Sequence, residues 1–221
     1  MGCETGGDWQ QPVCNIAEGC GRPPPRDRIL TDAELARVWR ACDHLGEPWH
    51  GFVRVLILTG QRRAETAGAR WSEISAGFDT WTIPAERSKN GRAHDVPLSE
   101  PARELIRAIP RFEGCELVFS CGRKNPPSGF SKMKARLDAL LAADGAGPVA
   151  PWILHDLRRT VATGLQRLGV RLEVTESVLN HIAGSRAGIV GVYQRHRWTD
   201  EKRAALDAWA RHVLALQGPT P

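Results

Sequence analysis

The amino-acid sequence predicts a mainly α-helical domain with one small three-stranded antiparallel β-sheet, an α+β class. Three observations carry that expectation. From Thr31 onward, apolar residues recur along much of the chain at the three- and four-residue steps of a helix. In "DTWTIPAE" the period drops to two, with Trp81 and Ile83 alternating against Thr80 and Thr82, as in a half-buried strand. That run is followed by Asn90-Gly91, a strong hairpin-turn signal, and then by "AHDVPL", which supplies the partner strand.

The elements follow in order. Residues 1–28 are rich in Gly, Pro and Cys and close with "GRPPPRDR", so they read as a linker or remnant without regular structure. Residues 29–221 read as the folded domain. Thr31 followed by Glu34 is a capping box, and Leu35, Val38 and Trp39 continue the apolar face of a first helix. A second helix over 48–59 ends at Gly60, and a third starts near Arg62 and runs toward Ala69. A short strand at Trp71–Ile74 would make the sheet three-stranded. Helices resume at Ser99, with Pro101 in the first turn, and then cover about 130–143, 155–168, 172–181, 187–194 and 200–216.

Composition narrows the function. A chain of 221 residues with 25% charged and 42% hydrophobic residues is ordinary for one globular domain. The net charge of +5 suits a polyanionic partner. Arginine supplies 25 of the 30 basic residues, and its planar fork matches phosphate oxygens two at a time. No apolar run approaches the roughly 20 residues of a membrane span. "MGCETG" lacks the Ser or Thr that a myristoylation signal carries at position 6. The six cysteines, at 3, 14, 20, 42, 115 and 121, form no C-x-x-C pair. They read as free thiols in a reducing cytoplasm.

Four stretches place polar groups where pattern alone prefers apolar ones. "LTGQRRAE" puts Arg62 directly after an apolar helix and a glycine turn, although Arg62 could simply pair with Glu65 three residues on. "LHDLRRT" puts His155 and Arg158 on one face of a helix start, a good place for a phosphate. "VLNH" ends an apolar helix with His181, and "SKNGR" holds Lys89 in the hairpin. The chain's single tyrosine, Tyr193, lies twelve residues beyond His181 in "GIVGVYQRH".

In this order the stretches resemble the tyrosine recombinase, or phage integrase, family over about residues 28–216. The family pattern is a T-G-x-R-x-x-E segment, a hairpin lysine, H-x-x-R, a later His or Trp, and then a tyrosine. It reads here as Thr59 to Glu65, Lys89, His155 to Arg158, His181 and Tyr193. "WSEI" and "VPLS" fit it as well. The resemblance implies the catalytic-domain fold of that family and a site-specific DNA recombinase acting in integration of a phage or mobile element. It implies that Tyr193 attacks a DNA phosphate and becomes joined to the 3′ end. Arg62 and Arg158 would hold the phosphate oxygens, His155 would take the tyrosyl proton, His181 would donate to the phosphate, and Lys89 would protonate the leaving 5′-oxygen. A cluster of cations would stand in for metal ions, so no cofactor and no metal is expected. The implied partner is double-stranded DNA, with self-association to a tetramer on DNA, a monomer without it, and no membrane.

Two other readings stay open: a non-catalytic DNA-binding remnant of an integrase, and a topoisomerase of type IB. Family members usually carry a helical core-binding domain before the "LTDAEL" point, which completes a clamp on DNA; about 28 residues precede it here. One more expectation concerns the tail. Leu206, Trp209, Val213 and Leu216 make a narrow apolar stripe on the helix over 200–216. It can dock on this chain's own core or, as the family implies, on a neighbouring subunit.

Overall fold

The computed structural model describes residues 27–120, 125–181 and 198–218. Residues 1–26 of the segment read as a linker over 1–28, the helix expected at 187–194 and Tyr193 lie outside the described residues. The described part is helical around a small antiparallel sheet, as expected.

Helix α1, Asp32–Ala41, begins with the predicted box: Thr31 Oγ1 accepts from the Glu34 N–H at 3.2 Å, and Glu34 Oε2 accepts from the Thr31 N–H at 2.8 Å. Helix α2, Trp49–Thr59, is the centre of the core. Its Phe52, Val53, Val55, Leu56, Ile57 and Leu58 are all buried, because other elements pack around it. It stops at Gly60, whose φ is 64°. A Cβ there would lie 2.9 Å from Val161 Cγ1 and 3.0 Å from Leu179 Cδ2. Only glycine gives this left-handed turn in so little space. The short helix α3, Arg63–Ala67, follows at once.

Strands β1, Thr80–Ile83, and β2, His94–Pro97, pair antiparallel with Trp81 opposite Val96 and Ile83 opposite His94. Two expectations are corrected here. The third strand at Trp71–Ile74 is reduced to a single bridge between Ile74 and Trp81, and Trp71–Glu73 is a 3-10 turn. Glu73 explains the turn. Its carboxylate accepts from Arg87 at 2.6 and 2.7 Å, from Trp81 Nε1 at 3.0 Å and from the Arg70 N–H at 3.3 Å. The backbone just before it pairs elsewhere, with Trp71 N–H donating to Glu116 O and Val118 N–H to Ala69 O, each at 2.9 Å. Nor do Asn90-Gly91 form a tight two-residue hairpin. The strands stop at Ile83 and resume at His94, and the chain between them folds back onto the site described below.

Helices α4, Glu100–Ala108, α5, Phe130–Ala143, α6, Leu154–Arg167, and α7, Leu172–Val178, complete the shell. The last of these stops three residues short of the expected 181. The tail forms α8, Thr199–Ala215, and it docks on this chain's own core. It packs on α2, α6, α7 and β2. Leu206, Trp209 and Val213 of the predicted stripe are at most 1% exposed, and Leu216 is partly buried. The Trp209 ring lies over Gly164 of α6, and its Nε1 donates to Ile57 O at 2.7 Å.

Candidate active site

The site is built at the C-terminal ends of α2 and α7 and the start of α6. Arg158, in the second turn of α6, is 4% exposed. One end of its guanidinium donates to Gly60 O at 2.7 Å and the other to Leu179 O, which ties the two helix ends together. Arg62, just after the Gly60 turn, donates to Glu65 Oε1 at 3.0 Å and to Asn180 O at 3.2 Å. The bland pairing of Arg62 with Glu65 is therefore present, as part of a larger network.

Three successive carbonyls at the C-terminal end of α7 collect donors from several elements. Val178 O accepts from Gln61 Nε2 at 2.9 Å and from His94 Nε2 at 3.0 Å. Leu179 O accepts from Arg158, and Asn180 O from Arg62 and Asn90. A helix C-terminus leaves such carbonyls without intrahelical partners, and its dipole favours cations there. Asn180 itself sits at φ 49°, in the left-handed region that Asn tolerates better than most residues. This turn ends α7 early and points the carbonyls at the arginines.

Burial and like charge set the protonation states. Burial, and then the neighbouring Arg62, push Arg158 down to about 9, against the pull of Glu65, so it stays a cation at neutral pH. Burial pushes His181 down to about 4, with Arg158, Arg62 and His155 adding to the effect. His155 is lowered too, by burial first and then by Arg159 and Arg158. Both rings are neutral at pH 7, so each has one N–H donor and one acceptor nitrogen. Glu65 is 3% exposed, and its Oε2 takes no hydrogen bond among the described residues.

Arg62, Lys89 and His155 line one open pocket of about 730 Å³, together with Arg63, Lys134 and Phe130. Residues 28–197 match the phage integrase family. The chain belongs to that family. Prophage integrase IntA of Escherichia coli K12 is 33% identical over 161 residues, 72% of this chain and 37% of that protein. Prophage integrase IntZ of the same organism is 30% identical over 199 residues, 88% of this chain and 47% of the relative. The chain thus spans less than half the length of either. Among solved structures, the Tn1549 transposon integrase with circular intermediate DNA aligns with a TM-score of 0.56 at 16% identity, over 82% of this chain and 65% of that one. A lambda integrase tetramer bound to a Holliday junction aligns with 0.55 at 20%, over 71% and 47%. At such low identities these alignments show a shared fold alone.

The phage integrase motif residues that are described come together. Arg62, Lys89 and His155 face one pocket, Arg158 is tied to the Leu179 carbonyl next to the Asn180 carbonyl that Arg62 uses, and the charges of Arg158 and Arg62 act on His181. Tyr193 lies outside the described residues. Sequence reasoning passed over Glu65, Asn180 and His94 as site residues. Glu65 stood in the quoted T-G-x-R-x-x-E segment and Asn180 in "VLNH", where Asn before a helix end signals a left-handed turn. His94 carried no signal: in sequence it is one polar residue of a strand, and only folding buries it against α7. Among the described residues no group of three His, Cys, Asp or Glu side chains gathers as a metal site, and no helix is long and apolar enough to cross a membrane.

Proposed function

We propose that this chain is the catalytic domain of a site-specific DNA recombinase, which cuts and rejoins DNA strands through a 3′-phosphotyrosine at Tyr193. The observation that carries the reading is the grouping of Arg62, Lys89 and His155 on one pocket, with Arg158 buried and tied to the Gly60 and Leu179 carbonyls. The reaction exchanges one phosphodiester for another. The Tyr193 hydroxyl oxygen attacks phosphorus, the P–O5′ bond breaks, and a 5′-hydroxyl leaves. Rejoining is the reverse, so no energy-rich compound is consumed.

Each group has a stated task. A free phenol has a pKa near 10 and is a weak nucleophile at pH 7. The neutral His155 ring takes its proton, and the surrounding cations stabilise the phenolate. Arg62 and Arg158 each have five N–H donors and commit two to the bonds above. The remainder can hold the non-bridging oxygens as charge builds. Since protein carbonyls already orient both forks, little reorganisation is needed at the moment of reaction. His181 donates an N–H from a neutral ring, and Lys89 gives the proton that the leaving O5′ requires.

The substrate is double-stranded DNA, with assembly as a tetramer on DNA and a monomer without it. The lambda integrase tetramer on its junction supports that assembly by analogy. Residues 29–221 make up the catalytic domain, residues 1–28 serve as a linker, and the protein acts in the cytoplasm on DNA of a phage or mobile element. The test uses nicked duplexes with a randomised central segment, mixed with protein and resolved under denaturing conditions. A covalent adduct with the native chain, lost in Tyr193→Phe, supports the reading. No adduct, or one that persists in Tyr193→Phe, overturns it.

A further inference from the structure

We propose that Asn180 is a positioning residue that holds Lys89 against the arginine pair. The inference rests on the reading just given, in which Lys89 protonates the leaving O5′. Lys89 is bracketed by Asn180 on both sides. Asn180 Nδ2 donates to Ser88 Oγ at 3.1 Å, and Asn90 Nδ2 donates to Asn180 O. The Lys89 N–H itself donates to Glu65 Oε1 at 3.1 Å. Arg62 uses the same two acceptors, Glu65 Oε1 and Asn180 O. The loop that carries the proton donor and the guanidinium that holds the phosphate are thus fastened to one pair of oxygens.

The tie is buried where it matters. Ser88 is 7% exposed and Asn180 9%, while Lys89 is exposed and lines the pocket. Gly91 N–H closes a turn on Ser88 O at 2.9 Å, within the loop itself. Deleting the Asn180 side chain leaves a buried serine hydroxyl without its donor and removes one of the three ties at Ser88, Lys89 and Asn90, which loosens the loop. The backbone carbonyl of residue 180 stays, so Arg62 keeps its bond. The loss therefore falls on proton transfer to O5′ more than on phosphate binding.

Asn180→Gly is the variant of choice, because glycine accepts φ 49° without strain. Ser88→Ala removes the same hydrogen bond from the loop side. The first measurement is amide hydrogen exchange without DNA. Lys89 and Gly91 amides should exchange about tenfold faster in either variant, with α2 amides unchanged; unchanged loop exchange overturns the proposal. The second uses duplexes recovered as Tyr193 adducts, made with either oxygen or sulfur at the 5′ bridging position. A thiolate leaves without needing a proton, since thiols ionise near pH 8.5. Asn180→Gly should slow cleavage of the oxygen substrate about tenfold and cleave the sulfur substrate at nearly the native rate, as Lys89→Ala should. Equal losses on both substrates, or no loss, overturn the positioning role. If the native chain forms no adduct on any duplex, the recombinase reading fails, and the exchange data still decide whether Asn180 holds the loop.

Discussion

Gly60 and Gly91 have nearly the same backbone, at φ 64° and 63°, in very different surroundings. A Cβ on Gly91 meets nothing within 4 Å, whereas one on Gly60 lies 2.9 Å from Val161 Cγ1 and 3.0 Å from Leu179 Cδ2. Alanine at either position carries the left-handed backbone cost of about 1–2 kcal/mol. At Gly60 it adds an overpacking cost of about 1–3 kcal/mol, because α6 and the turn after α7 are wedged apart. Gly91→Ala should therefore cost about 1 kcal/mol and Gly60→Ala about 3. For a domain of this size that separates the two melting midpoints by roughly 4–8 °C. Urea unfolding followed by circular dichroism measures both. Gly60→Ala should also reduce adduct formation, since Gly60 O and Leu179 O are the two acceptors of Arg158. Equal stability losses in the two variants would refute the packing argument. A destabilised Gly60→Ala protein with native adduct yield, measured where it is fully folded, would refute the link to Arg158.

Trp209→Ala should cost about 3–5 kcal/mol, as expected for a fully buried large aromatic. Removing residues 199–221 should abolish cooperative melting; a truncated chain that melts as before would contradict docking of α8 on its own core. Arg62→Lys and Arg158→Lys should each lower the single-turnover cleavage rate about 10²-fold or more. Each ammonium loses one of its two acceptors, but Arg158→Lys should lower stability more, by about 1–3 kcal/mol, because Arg158 is only 4% exposed and no water reaches the orphaned carbonyl; matched unfolding curves for the two variants would refute this. His94 donates to Val178 O and is held down to about 3, by burial first and then by Lys202. Its folded value lies below the unfolded one of about 6.5, so its contribution is complete above pH 6.5 and fades as pH falls toward 3. Between pH 7 and 4.5 the native chain should lose about 2–3 kcal/mol more than His94→Gln; parallel acid limbs would refute it. Adduct formation should be unchanged by EDTA, and a clear divalent-ion requirement would overturn the cation-cluster chemistry.

Local chemistry wrote much of this protein directly into its sequence. The Thr31–Glu34 box, the Gly60 stop and the alternation of Trp81 and Ile83 each depend on neighbours a few residues away, so pattern and structure agree there. The motif residues Arg62, His155, Arg158 and His181 were legible for a similar reason: a glycine turn, a helix start and a helix end are local features, and each carried polar groups against the apolar trend. The edge at Trp71–Ile74 was not legible, because Glu73 is claimed by Arg87 and Trp81 from other parts of the chain. Asn90-Gly91 misled for the same reason, since Ser88, Lys89 and Asn90 are bonded to Asn180 and Glu65 rather than across the strands. The sequence by itself determined the type of most described elements, the apolar stripe of the tail helix and the set of polar residues to watch. Tertiary structure alone decided where that stripe docks, how deeply Arg158 and His94 are buried, and that the carbonyls of 178–180 gather donors from 61, 62, 90, 94 and 158. Burial and hydrogen bonding between residues a hundred positions apart depend on packed distances in space, and no local period encodes those.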